Sequence, residues 1–154
     1  LKKINNNIEF SSDFIIAYPG ETDEDFKQTL DLTKRIKFIN SYSFVYSSRP
    51  GTVSSNLELI DQKISRKRLK VIQEQLFNHQ IDRNKSLENK ILNVLVENQM
   101  KDKKRLFGRT EHMIPVIFDG TIKNVGKIVK IKVETSNQNS LFGTIKLDQD
   151  KMVA

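Results

Sequence analysis

The stretch DFIIAYPGETDEDF, residues 13–26, decides how the first part of the chain folds. It closes the longer run IEFSSDFIIAY, residues 8–18, whose apolar second half stops at Pro19-Gly20. Such a run suits a strand buried on both faces. Thr22 is a good helix N-cap, with Asp25 three residues on in the capping-box position. Asp23, Glu24 and Asp25 complement the positive end of a helix. Phe26, Leu30, Thr33 and Ile36 then share one face, and Lys34, Arg35 and Lys37 suit the C-terminal end, so a helix is predicted over 23–37. In YSFVY, residues 42–46, Tyr42, Phe44 and Tyr46 alternate with smaller side chains as in a strand. Strand, helix and strand at this spacing form a βαβ unit with a parallel pair and a right-handed crossover.

Further along, residues 61 to about 89 carry the longest helical pattern, with Ile64, Leu69, Ile72, Leu76 and Leu87 near one stripe. Its other faces are expected to carry Lys63, Arg66, Lys67, Arg68 and Lys70. After it the period changes. ILNVLVE, IPVIFDG, GKIVKIKVE and SLFGTIKL are short alternating segments separated by Gly, Asn and Asp, which predicts a small OB-like β-barrel. Val129, Ile131 and Val133 point one way in it, and Lys130 and Lys132 the other. No internal repeat is evident. The expected division is 1–60, a linking helix 61–82, a β-domain 83–147 and a tail 148–154.

Composition narrows the function classes. The 154 residues carry 26 Lys and Arg against 19 Asp and Glu, a net charge of +7. Residues 1–60 hold 7 basic and 8 acidic side chains, whereas 61–90 hold 8 and 4, and 91–154 hold 11 and 7. The basic excess lies in the C-terminal two-thirds, where it suits either a polyanion or a merely soluble surface. No apolar run reaches the roughly 20 residues of a membrane helix, and Leu1-Lys-Lys-Ile lacks a signal peptide's apolar segment. The expected location is the cytoplasm. Because the chain opens on Leu1 in a strand approach, a preceding portion is expected. With no cysteine there can be no disulfide and no thiolate-bound iron–sulfur cluster within these residues.

The Pro-Gly turn after the first strand stands at the C-terminal end of a parallel strand, before a capped helix. In barrels of βα units that end is the active face, which makes Asp13, Pro19, Gly20 and Glu21 candidate pocket residues. A lone Pro-Gly also does no more than shape a turn. The second strand ends alike in YSSRPGT, so Arg49, with Pro50 and Gly51, emerges on the same face. Spacing leaves Arg49 as either an anion-gripping guanidinium or a surface residue. His79 and His112 have no partner at metal-ligand spacing. Phe107, Phe118 and Phe142 flank basic residues and could stack on bases, although Phe118 ends an apolar run and suits a core better. Lys101, Lys103, Lys104, Arg105, Arg109, Lys127, Lys130 and Lys132 are the candidate RNA contacts. Residues 101–132 hold 9 basic and 3 acidic side chains.

In combination, DFIIAYPGETDEDF (13–26), YSFVYSSRPGT (42–52), GRTEHMIPVIFDG (108–120), VGKIVKIKV (125–133) and NSLFG (139–143) resemble the radical-SAM tRNA methylthiotransferases of the MiaB type. Where many relatives read GFPGET, GRTENN and NSLRG, this chain has Ala17-Tyr18, His112-Met113 and Phe142. The resemblance implies the last βα units of a radical-SAM partial TIM barrel, a linking helix and a TRAM domain. It implies a tRNA anticodon stem-loop as partner, whose isopentenyl-modified adenosine gains a methylthio group. The chain is expected to be a monomer with no membrane attachment. It also implies S-adenosylmethionine and two 4Fe–4S clusters for the full-length family, although this chain lacks the cluster ligands. Two alternatives stay open: a stand-alone RNA-binding module or non-catalytic remnant, and the ribosomal-protein branch of methylthiotransferases.

Overall fold

In the computed structural model, residues 1–146 are described, and they divide into two units, one of Leu1–Gln80 and one beginning at Ile81. Residue 147 of the expected β-domain and the expected tail 148–154 lie outside the described residues.

The first unit is built on the βαβ pattern. Strand β1 (Asp13–Ile16) lies parallel to β2 (Tyr42–Val45), in the register Asp13 to Tyr42 through Ile16 to Val45. Helix α1 (Asp23–Ile36) connects them. The Thr22 side chain accepts from the Asp25 N–H, and the Asp25 carboxylate accepts from the Thr22 N–H, which closes the capping box. Lys37 ends the helix in the left-handed conformation, its N–H donating to the Thr33 carbonyl. Phe14, Ile16 and Ala17 form a core with Ile72 and Leu76 of α2 (Gln62–Lys85), and Phe26 and Leu30 of α1 pack against it.

Burial of β1 on both faces is not what forms. Phe14 and Ile16 are buried, but Ile15 is 61% exposed, as are its register partner Phe44, 53%, and Tyr42, the partner of Asp13, 65%. The helices cover only one side of the two-stranded sheet, so alternate residues of an apolar run remain outside.

The stripe of α2 also differs from the expected one. Ser65, Arg68, Ile72 and Leu76 are buried, while Ile64 is exposed and Leu87 lies beyond the end of the helix. Arg68, expected on a solvated face, is one of the most enclosed charges of the first unit.

The second unit is a closed barrel of five strands in the order β3-β4-β5-β7-β6. Strands β3 (Ile91–Gln99), β4 (Arg105–Thr110), β5 (Pro115–Asp119), β6 (Ile128–Ser136) and β7 (Leu141–Ile145) pair antiparallel, except for the parallel pair β5 and β7. Val94, Val96, Leu106, Ile114, Val116, Ile131, Val133 and Leu141, each no more than 1% exposed, fill the interior. Lys130 and Lys132 point outward, as alternation predicts.

An internal repeat does exist. Val94-Leu-Val-Glu-Asn-Gln99 and Ile131-Lys-Val-Glu-Thr-Ser136 share one burial pattern, and each hairpin returns through Leu-Phe-Gly, at 106–108 and 141–143. In both, the register slips at the glutamate, Glu97 or Glu134, opposite the Phe-Gly pair. The reason is steric. A Cβ on Gly108 would lie 2.3 Å from the Leu95 carbonyl oxygen, and one on Gly143 would lie 2.1 Å from that of Lys132. The bulged strand presses its backbone against its partner, and glycine alone fits there.

Candidate functional site

The two Pro-Gly motifs form matching turns at the C-terminal ends of β1 and β2. The Glu21 N–H donates to the Tyr18 carbonyl at 2.8 Å, and the Thr52 N–H to the Arg49 carbonyl at 3.3 Å. Gly20 at φ 90° and Gly51 at φ 83° occupy the turn position that requires positive φ. The Tyr18 and Tyr46 rings meet edge to face, 5.1 Å between centroids, so the two strand ends are neighbours. Beside them Arg49, Ile15, Phe44, Tyr46, Thr52 and Ser54 line an open cavity of about 550 Å³. Of the candidate pocket residues, Arg49 is the one that lines it.

Glu21 has a different duty. Its carboxylate accepts the Ala17 N–H and lies 3.4 Å from the Arg68 guanidinium, with the two side chains 12% and 8% exposed. Arg68 also donates to the Glu21 carbonyl at 3.0 Å and to Asp23 at 2.7 Å, and its guanidinium stands over the Phe26 ring. This cluster holds the turn and the start of α1 together, and Ala17, at φ 61°, accepts a conformation costly for any residue with a Cβ. The signal for Arg68 was its spacing, three residues after Ser65 and four before Ile72, on the buried stripe.

In the barrel the basic residues do not form one patch. Lys101, Lys103 and Lys104 lie in the β3–β4 turn, and Arg105 begins β4. Lys130 and Lys132 pair with Asn93 and Ile91, near the opposite end of β3. Eight steps along the strand, roughly 26 Å, separate Ile91 from Gln99. Lys127 sits beside the middle of β3, where its carbonyl accepts the Val96 N–H. Arg109 is within strand β4. It donates to Glu97 at 2.7 and 2.5 Å and lies over the Phe107 ring at 5.1 Å. Recognising β4 as the partner of β3 would have placed Glu97 beside Arg109. Phe107, Ile117 and Phe142 stand side by side on three adjacent strands, half-buried, whereas Phe118 is in the core.

Asp102 organises the basic turn. The backbone N–H groups of Arg105 and Lys104 donate to its carboxylate at 3.0 Å each, and the Arg105 side chain adds a 2.6 Å bond. These bonds, the Arg105 N–H foremost, hold its pKa down at about 2. A lowered folded pKa means that this contribution is present above the ordinary value, 3.8, and is lost as pH falls from there toward 2. A carboxyl-carbon NMR titration of Asp102 should show a midpoint near 2; one near 3.8 would mean the turn is not tied through it.

Among the described residues no group of three or more His, Cys, Asp or Glu side chains is placed to hold a metal, and no helix is long and apolar enough to cross a membrane.

A small closed barrel of five strands with a packed interior has the form of an OB-like domain, and residues 85–146 match the TRAM domain family. The whole chain is homologous to the C-terminal third of tRNA-2-methylthio-N(6)-dimethylallyladenosine synthases. It is 64% identical to the one from Pelagibacter ubique over 154 residues, all of this chain and 34% of that protein. Identity to those of Ruthia magnifica and Rickettsia akari is 40% and 38%, each over 94% of this chain and 33% of the relative. The chain therefore spans about a third of the length of the curated relatives it matches.

Proposed function

We propose that the chain is the C-terminal portion of a tRNA methylthiotransferase that adds a methylthio group to the isopentenyl-modified adenosine beside the anticodon. The barrel grips the anticodon stem-loop, and the βαβ unit supplies walls of the pocket, with Arg49 at the cavity and the Pro19-Gly20 and Pro50-Gly51 turns following the same strand ends. Glu21 braces the first turn from within, and Asp13, which begins β1, stands at the far end of its strand from the turn. S-adenosylmethionine and two 4Fe–4S clusters would drive the reaction in the complete enzyme. The residues present do not fit a cluster, since there is no thiolate, so its ligands belong to other parts of such an enzyme. The tRNA wording in the relatives' names supports this branch over the protein-modifying one.

One observation carries the RNA half. The barrel interior is filled, so a polyanion has only the outer face, where Lys130 and Lys132 stand. Arg109, with Lys101, Lys103, Lys104, Arg105 and Lys127, completes the cationic set. Fluorescence anisotropy with an anticodon stem-loop at two salt concentrations tests it. Each phosphate neutralised on a single strand contributes about −0.7 to the log–log salt slope, so Arg109→Ala should weaken binding and flatten the slope by about that amount. Lys34→Ala, in helix α1, should change neither. Equal affinities for the two variants, or binding that ignores salt, would reduce the basic face to a solvated surface.

A further inference from the structure

At one end of the barrel, the last turn of α2, the first residues of β3 and the β4–β5 turn enclose a second cavity, of about 160 Å³. Sites for drug-sized ligands run from about 300 to 1,000 Å³, and a water occupies about 30 Å³ of liquid. The space suits one planar heterocycle. Leu87 and Ile114 give it apolar walls, and Arg83, Asn93, Glu111 and His112 bring polar groups to it.

The turn carrying Glu111 and His112 is firmly held. The Ile114 N–H donates to the Thr110 hydroxyl at 3.2 Å, the Met113 N–H to the Thr110 carbonyl at 2.9 Å, and the Thr110 N–H to the Ile114 carbonyl at 3.1 Å. Arg83 is steadied on the other side by a 3.3 Å bond to the Ser86 hydroxyl. On the next strand over, Lys130 and Lys132 pair with Asn93 and Ile91, both of which line the cavity. Both a guanidinium, Arg83, and a carboxylate, Glu111, thus stand at the cavity, the latter 83% exposed and 3.7 Å from His112 Nε2, while Lys130 and Lys132 lie across the strand pair from Asn93 and Ile91.

From this arrangement we propose that the cavity takes one nucleotide of a bound RNA strand, its base inside and its phosphate on Lys130 and Lys132. The partner's identity rests on the RNA-binding reading of the barrel. Glu111 accepts hydrogen bonds, which favours a base with an exocyclic amino group, while the apolar walls of Leu87 and Ile114 suit the base rather than the phosphate. The Asn93 carboxamide offers both a donor and an acceptor to a base edge, and the His112 ring can stack on it. An acidic peptide would satisfy the lysines but leave the apolar walls unfilled.

The test uses the 154-residue chain and NMR titration of the His112 imidazole and Asn93 amide signals. CMP and AMP should shift both, UMP should bind about tenfold more weakly for want of the amino group, and ribose 5-phosphate should leave the His112 signal unmoved. Asn93→Asp, a near-isosteric change at an exposed position, should weaken CMP about tenfold while keeping the barrel's spectrum. Equal shifts with ribose 5-phosphate or inorganic phosphate, CMP affinity unchanged in Asn93→Asp, or no shift with any nucleotide would overturn the proposal. Anisotropy with the stem-loop runs in parallel. RNA affinity without nucleotide shifts removes the pocket and leaves the RNA-binding reading, whereas nucleotide shifts without RNA affinity do the reverse.

Discussion

Gly143→Ala should destabilise the barrel by about 3 kcal/mol or more, at the upper end of what overpacking usually costs. The new methyl group would sit 2.1 Å from the Lys132 carbonyl oxygen and 2.9 Å from Ile131 Cγ2, against backbone on one side and core on the other. Neither neighbour can yield cheaply. Lys132 pairs with Thr144 in the β6–β7 ladder, and Ile131 is fully buried. Gly108→Ala should behave alike, because the second hairpin repeats the first. Urea denaturation followed by far-UV circular dichroism would measure both, and a loss below 1 kcal/mol in either would show that the bulges adjust freely.

Arg68→Ala should cost the first unit about 3–5 kcal/mol, as expected when one member of a buried pair is removed and the other is left uncompensated. Most of this would come from Glu21, whose carboxylate stays enclosed beside the Ala17 N–H, and little from Asp23, whose side chain is 98% exposed. All three tyrosines, Tyr18, Tyr42 and Tyr46, lie in this unit, so intrinsic tyrosine fluorescence in urea reports its unfolding. A change within the 0–1 kcal/mol range of exposed ion pairs would mean that water reaches Arg68 readily.

Much of this was legible in the sequence, for identifiable reasons. The capped helix and the Pro-Gly turns announce themselves because their residue types follow from local backbone geometry, which needs no tertiary information. The alternation of Val129 to Val133 likewise separates a core face from a basic one. Arg68 was not legible because residue type and helical position disagree: a guanidinium flanked by Arg66, Lys67 and Lys70 looks solvated, yet its spacing from Ser65 and Ile72 puts it inside. Strand β4 escaped notice because five charges precede Leu106 and Gly108 interrupts the alternation. The repeat escaped with it, since Leu-Phe-Gly gains meaning only when each copy is paired with the bulge it faces. The small cavity was out of reach, being assembled from a helix end, a strand start and a turn.

Closure of the barrel bears on why Lys130 and Lys132 are there. Lysines in β-proteins often guard a sheet margin, where unpaired N–H and C=O groups invite another chain to add itself and begin an aggregate. Strand β6 has no such margin, because β3 flanks it on one side and β7 on the other. Protection of β6 against backbone pairing with another chain therefore does not depend on these two side chains, and what remains for them is solubility or a ligand.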